Sequence, residues 1–348
     1  MRQMKVIFAG GGTGGHLFPA IAIAKKLKAR LEPEYAADFI FVGTRRGLEY
    51  RIKEKLGYPL ALINVRGMSR SLSLYNLMVP FLLVAAVVKS LILINKFHPH
   101  LVIGTGGYVM GPVILAALII NKPCVIQEQN SYPGLTTRKL ASRVDRVFLG
   151  FGAAANYLSR KCRAIETGNP VKDAIGKISK VEGRTHFQFN DNGKVILILG
   201  GSQGALAINR NILRNLNNLR DGYRVIWQTG ERDYKDVAAQ AGGKVSSRAL
   251  FPFTEKIEMA YAAADMIIAR AGALTLAEIA AAGLPAILIP YPYAAGDHQR
   301  KNAMAFAQNG AAVIFQDEQL DKIDLLSEAV KLLESSCYEK MMVAIKTM

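Results

Sequence analysis

Cysteine is scarce: Cys124, Cys162 and Cys337 are the only three, an odd number at no metal-ligand spacing. That excludes a disulfide framework and a cysteine-rich zinc site, and it favours a reducing compartment. Acidic residues are also short, 27 against 44 Lys and Arg. No Asp-x-Asp pair occurs, so a divalent metal on a diphosphate has no ligand motif here. The first apolar run, Met4 to Ala9, is too short for a signal peptide and leads straight into glycines. No nucleic-acid module or interleaved basic and aromatic stripe is found, which lowers nucleic acid as a partner. Low-complexity tracts are absent as well, and 51% hydrophobic residues with 20% charged ones exclude a disordered chain.

The chain has 348 residues, which suits two domains of roughly 150–170 residues each. Its net charge of +17 calls for an anionic partner. That charge is uneven. Residues 1–170 hold 23 basic against 8 acidic residues, whereas the remainder holds 21 against 19. The first half therefore faces the anionic surface.

Apolar strand, glycine turn and helix recur along the chain. Lys5–Ala9 reads as a buried strand, followed by a helical pattern from Ala20 to Leu31 and a strand at Asp38–Val42. Leu101–Ile103 and Pro123–Ile126 continue the series, as do Val195–Leu199, Arg224–Gln228, Asp265–Ala269 and Ala286–Ile289. The pattern starts twice, at Gly10–Gly15 and at Gly200–Gly204. It predicts an α/β chain of two doubly wound, Rossmann-like domains. The join is expected near Glu166–Val171, where Gly168-Asn-Pro170 interrupts, with the polar stretch Lys177–Gly193 as an irregular lead-in to the second sheet.

Leu77–Ile94 is almost continuously apolar and about long enough to cross a bilayer. Pro80, Lys89 and its place between strands count against spanning. A buried core helix and a helix dipping into a membrane interface stay open. Arg66, Arg70, Lys89 and Lys96 form a basic rim that suits anionic headgroups.

Gly10-Gly-Gly-Thr-Gly-Gly15-His16 lies between a strand and a helix, where a diphosphate can approach backbone amides and the positive helix end. It also fits G-x-G-x-x-G at Gly10, Gly12 and Gly15. The second strand ends without the ribose-binding acid but with Arg45-Arg46, which keeps an NADP-dependent dehydrogenase open. A merely tight turn is the bland alternative. His16 either bonds a nearby carbonyl or serves as a general base. His98 and His100 look like surface residues, and His186 looks structural. In the second half a strand ends near Ala269 and a helix begins at Ala273 or Leu274, so amides at Ala273–Thr275 suit a diphosphate. Glu278, one turn on, is placed to accept ribose hydroxyls, or else is an ordinary exposed glutamate. Pro290–Asn302 adds a polar cluster at a carboxyl strand end.

Taken in order, these stretches resemble the MurG family of bacterial N-acetylglucosaminyltransferases. They are Gly10–His16 with Phe18-Pro19, Gly104–Pro112, Glu128-Gln-Asn130, Gly168–Val171, Gly200–Ala205, Arg270–Glu278 with Ile279–Pro285, and Asp297-His-Gln299 with Asn302-Ala303. The resemblance covers about 300 residues and implies the GT-B architecture, two domains facing across a cleft. It assigns residues 1–167 to the acceptor and the membrane and 168–330 to UDP-GlcNAc. Residues 331–348 would be a last helix packing back on the first domain. The activity it implies is inverting transfer of GlcNAc from UDP-GlcNAc to the 4-hydroxyl of undecaprenyl-diphosphate-linked MurNAc-pentapeptide. The family's donor contacts fall on Thr13, Gly14, Gly15, Asn130, Ser202, Ala273, Leu274, Thr275, Leu276, Ala277, Glu278 and Gln299. Thr254 is where backbone meets the uracil. Lys172 stands where the family has arginine, which keeps the charge and loses the bidentate fork. Gly12, Gly106, Gly107 and Tyr108 would take the acceptor diphosphate. His16 would be the base, with Glu128 the next candidate.

The resemblance further implies no tightly bound cofactor and a peripheral place on the cytoplasmic face of the bacterial membrane, among other cell-wall synthesis proteins. A glycolipid synthase acting on diacylglycerol is the nearest competitor. The dehydrogenase and a non-catalytic sugar-nucleotide-binding scaffold are rivals from other classes.

Overall fold

The computed structural model describes residues 2–65, 75–201, 204–254 and 256–348, with backbone alone for 75–77 and 295. Two compact units meet in sequence at Pro170 and Val171, inside the interrupted stretch and three residues beyond 167.

The first unit holds β1 (Arg2–Gly10), β2 (Tyr35–Gly43), β3 (Leu60–Leu62), β4 (Leu101–Gly106), β5 (Cys124–Glu128), β6 (Arg146–Leu149) and β7 (Ala164–Glu166). They pair in parallel, in the order β3-β2-β1-β4-β5-β6-β7. Val6, Ile7, Phe8 and Ala9 are all fully buried, as a central parallel strand covered by helices on both faces requires. Phe8 stacks on Phe41 at 5.0 Å and meets Phe39 edge-on at 5.4 Å. Winding runs outward from β1 to β3, then returns to the other side at β4. The reversal opens a crevice at the carboxyl ends of β1 and β4, where doubly wound sheets bind ligands.

The second unit repeats the scheme with β8 (Lys194–Leu199), β9 (Tyr223–Gln228), β10 (Leu250–Phe251), β11 (Met266–Ala269), β12 (Ala286–Leu288) and β13 (Ala312–Ile314). Their order is β10-β9-β8-β11-β12-β13, so the reversal lies between β8 and β11. Leu199 pairs with Ala269, which brings the ends of both strands level. The buried Asp265 carboxylate ties the far end of this sheet together, accepting from Val195 N at 2.8 Å and Arg184 at 3.0 Å, with Lys180 beside it.

The eight expected strands all form. The short strands β3, β6, β7, β10 and β13 escape sequence reading because two to four residues carry no usable period. The first helix spans Gly14–Leu31, six residues earlier than its pattern, because Gly14, Gly15 and Pro19 conceal its start. The supposed irregular lead-in contains a helix, Lys180–His186, whose cap Ser179 accepts from Glu182 N. The C-terminal stretch is two helices, Leu325–Glu334 and Ser336–Ile345, separated at Ser335. Tyr338 of the second donates to the Asp265 carbonyl at 3.1 Å, so this helix packs within the second unit.

The apolar stretch forms the helix Tyr75–Phe97. Ala86, Ser90 and Ile94, spaced by four, are buried, and the helix packs on Gly107–Ile119. Met78, Phe81, Val84, Val88 and Ile92 are exposed on another face. Both faces are apolar, so sequence periodicity alone does not distinguish them.

Candidate active site

The switch point of the first sheet is built from two glycine turns. Gly10 pairs with Gly106 across a bulge, and the His16 ring lies so close to Gly106 that a Cβ there would stand 2.5 Å from Nδ1. Gly106 also adopts φ 107°, a conformation that excludes side chains for a second reason. The His16 imidazole therefore packs directly on the backbone of the second turn.

His16 is held at both ends. Thr105 Oγ1 donates to its carbonyl at 2.8 Å, and its ring Nδ1 lies 3.1 Å from Gln129 Oε1. Thr13, Gly14 and Gly15 form the cap and first turn of the same helix, with Thr13 O accepting from His16 N and Leu17 N. Gly107 and Tyr108 open the helix Gly107–Ile119, and the Tyr108 ring is 65% exposed.

Gly12, expected at the acceptor diphosphate, donates its N–H to Glu49 Oε2 at 2.7 Å, and its carbonyl accepts from Leu48 N. Glu49 is fully buried and also accepts from Thr44 N at 2.8 Å. The protein's own carboxylate thus occupies one amide of the loop read as a diphosphate cradle. Glu49 went unnoticed in the sequence because nothing in its surroundings marks it, and its partner Gly12 is 37 positions away.

Glu128, the second candidate for the base, is buried, and Oε1 accepts from Asn130 N and Nδ2, both at 3.1 Å. Oε2 accepts from Gly134 N at 3.1 Å and Thr137 Oγ1 at 2.7 Å. With four donors converging on it, this carboxylate organises the loop after β5 and is poorly placed to take a substrate proton. It also orients Asn130.

In the second unit the helix Ala273–Ala282 starts after Gly272 as expected, and Leu276 N is the first to bond within it, to Gly272 O at 2.9 Å. The amides of Leu274 and Thr275 therefore look out of the helix N-terminus at the switch point. Ala273 and Leu276 turn their side chains into the core, whereas Leu274, Thr275 and Ala277 are half-buried. Glu278 accepts from the Tyr261 hydroxyl at 2.9 Å. Burial raises its carboxyl above the ordinary value of 4.5, opposed by the Tyr261 bond and the nearby Lys172 charge. Lys172 itself pairs with Glu258 at 3.1 Å. Lys172, Glu258, Tyr261 and Glu278 thus form one charged cluster. The sequence concealed Tyr261, 17 positions from its partner Glu278.

Thr254 N donates to Gln228 Oε1 at 3.3 Å, which anchors that loop to β9. Gln299 Oε1 accepts from Tyr291 N at 2.9 Å and so shapes the loop Pro290–Asn302. Ser202 lies outside the described residues. Among the described residues no group of three or more His, Cys, Asp or Glu stands close enough to hold a metal ion.

If Glu278 accepts ribose hydroxyls, UDP-GlcNAc affinity falls as acid protonates it, with a midpoint above 4.5. Calorimetric titration of UDP-GlcNAc between acidic and neutral pH checks this, because a diphosphate diester does not titrate in that window. The Glu278→Gln variant should lose the dependence. An identical pH profile for both proteins would overturn the assignment.

Two doubly wound sheets, each with a glycine turn at its reversal and the second with helix amides beside a glutamate, are those of a nucleotide-sugar glycosyltransferase. The family model "Glycosyltransferase family 28 N-terminal domain" matches residues 6–149, and "Glycosyltransferase family 28 C-terminal domain" matches residues 195–347. The Chlorobium phaeobacteroides UDP-N-acetylglucosamine–N-acetylmuramyl-(pentapeptide) pyrophosphoryl-undecaprenol N-acetylglucosamine transferase is 41% identical over 91% of this chain and 87% of its own. The Carboxydothermus hydrogenoformans protein of that name is 40% identical over 95% and 90%. The crystal structure of Acinetobacter baumannii MurG superposes with a TM-score of 0.74 at 29% identity, covering 100% of this chain and 95% of that one. The chain belongs to the MurG family of glycosyltransferases.

Proposed function

We propose that this protein transfers GlcNAc from UDP-GlcNAc to the 4-hydroxyl of undecaprenyl-diphosphate-linked MurNAc-pentapeptide. The observation that carries this reading is His16, clasped by Thr105 and Gln129 at the first switch point, in a chain about 40% identical to transferases of that name. The first unit takes the acceptor and the second takes the donor. His16 accepts the proton of the attacking hydroxyl as the new bond forms at the anomeric carbon, inverting it. The glycosidic electron pair leaves with UDP. First-turn amides at Leu274 and Thr275 and the Lys172 ammonium meet the charge that develops on the diphosphate, and Glu278 holds the ribose. Radiolabelled UDP-GlcNAc offered with the muramyl lipid diphosphate should place label in that lipid. Label in diacylglycerol instead would replace this reading with a glycolipid synthase.

We infer further that the protein docks peripherally on the cytoplasmic face of the membrane through the helix Tyr75–Phe97. One face of that helix is committed to packing on Gly107–Ile119, which argues against spanning, although Met78–Phe97 is long and apolar enough to do so. The opposite face exposes Phe81 (76%), Val84 (63%) and Ile92 (63%), with Lys89 and Lys96 exposed beside it. Arg66 and Arg70 of the expected basic rim lie outside the described residues. Apolar insertion supplemented by lysine attraction suits an anionic bilayer, and the first half holds nearly all the surplus positive charge. Replacing Phe81, Val84 and Val88 with serine should weaken binding to phosphatidylglycerol vesicles at least tenfold without altering the thermal transition. Unchanged sedimentation of that variant with vesicles would refute the docking face.

A further inference from the structure

Buried glutamines stand on either side of Glu128, and their hydrogen bonds are oriented by unambiguous partners. Gln129 Nε2 points at two backbone carbonyls, Thr105 O at 2.7 Å and Gln127 O at 3.1 Å. A carbonyl oxygen can only accept, so the amide nitrogen of Gln129 must occupy that position and its Oε1 must face His16. A second anchor gives the same answer from the far end. Asn169 Nδ2 donates to Gln129 O at 2.9 Å, which leaves Asn169 Oδ1 to accept from Gln127 Nε2 at 2.9 Å. Gln127 Oε1 is thereby turned to Gln129 Nε2, a third acceptor for the same amide. The bonds along Asn169–Gln127–Gln129–His16 therefore run in one sense only.

We propose that Gln129 is the positioning residue that holds His16 as the Nδ1–H tautomer, with Gln127 and Asn169 locking its amide. Facing a carbonyl oxygen, Nδ1 must carry a proton, and the lone pair of the neutral ring is then on Nε2. Nδ1 donates to Gln129 whether the ring is neutral or protonated. Proton uptake at Nε2 therefore requires no rearrangement behind it. The neutral amide orients the ring without adding the charge a carboxylate would bring. Gln127 and Gln129 are 4% and 2% exposed, and the chain runs beside an apolar recess lined by Ile103, Val125, Phe148 and Pro170. Low polarity there strengthens each bond and makes a misaligned amide expensive. The proposal rests on His16 as the base only for its catalytic consequence; the tautomer itself follows from the hydrogen bonds.

Nitrogen-15 NMR of histidine-labelled protein above the imidazole titration, with His16 assigned by the spectrum of His16→Ala, tests the tautomer without turnover. The expected result is a pyrrole-type Nδ1 and a pyridine-type Nε2; the reverse pattern overturns the proposal. In Gln129→Leu the two tautomers should mix, with kcat down about tenfold and KM for UDP-GlcNAc unchanged. In Gln129→Glu the added carboxylate should shift the acidic limb of the kcat profile upward by about one pH unit. Unchanged kcat in Gln129→Leu together with an unchanged pH profile in Gln129→Glu would remove the positioning role. A correct tautomer together with a fully active His16→Ala would instead sink the base assignment and leave the hydrogen-bond relay standing. The wild-type spectrum decides the tautomer even where a variant fails to fold.

Discussion

Replacing His16 with alanine is expected to lower kcat by about 10²–10⁴-fold, the usual contribution of a positioned general base. The affinity for UDP-GlcNAc should change little, because the groups assigned to the ribose and diphosphate lie in the second unit and the substitution leaves Thr13, Gly14, Gly15 and Asn130 in place. The split between kcat and donor affinity matters more than the size of the loss. His16 stands at the end of the relay from Asn169, with its carbonyl held by Thr105 and its ring by Gln129, and it packs on Gly106. Such a clasp wastes little freedom at the reacting nitrogen. Steady-state kinetics with both substrates varied, and direct UDP-GlcNAc titration, make the check. Wild-type turnover in the variant would remove His16 as the base. Glu128 does not take its place readily, since its four donors would first have to be released.

Replacing Glu49 with alanine is expected to destabilise the first unit by about 3–6 kcal/mol, from two part-buried backbone amides that each lose a hydrogen bond to a carboxylate worth about 1.5–3 kcal/mol. Those amides are Gly12 N and Thr44 N, and Glu49 is fully buried between them. A Cβ on Gly11 would lie 2.6 Å from the Glu49 carboxyl carbon, so the loop is wrapped tightly around this side chain. For a unit of this size the thermal midpoint should fall by roughly 5–20 °C. Turnover should fall as well, because Gly12 precedes the cap of the helix that carries His16. Glu49→Gln retains one acceptor and should lose about half as much. A thermal transition in Glu49→Ala indistinguishable from wild type would show that the carboxylate does not hold the loop.

Gly10–Gly15 and Arg270–Glu278 stand out because a strand, a turn and a helix start must follow one another within a few residues. Gln127 and Gln129 were partly legible: both lie at the end of a buried strand two residues apart, which puts them on one face. Their work with Thr105 and Asn169 was not, since those partners come from other strands and loops. The partners of Gly12 and Glu128 were hidden for one reason. A motif shows that an amide or a carboxylate is present but not which partner has already taken it.

The sequence by itself determined the class of fold, the double start, the two glycine turns and the concentration of positive charge in the first half. These are local or additive properties, written in short-range order and composition. Only the tertiary structure decided that Glu49 occupies the Gly12 amide, that Glu128 serves its own loop, and that one apolar face of Tyr75–Phe97 is covered while the other is exposed. It also brought Gln129 Oε1 against His16 Nδ1. Each of these depends on hydrogen-bond direction or packing between residues distant in the chain, and such pairings exist only once the sheet order has brought them together.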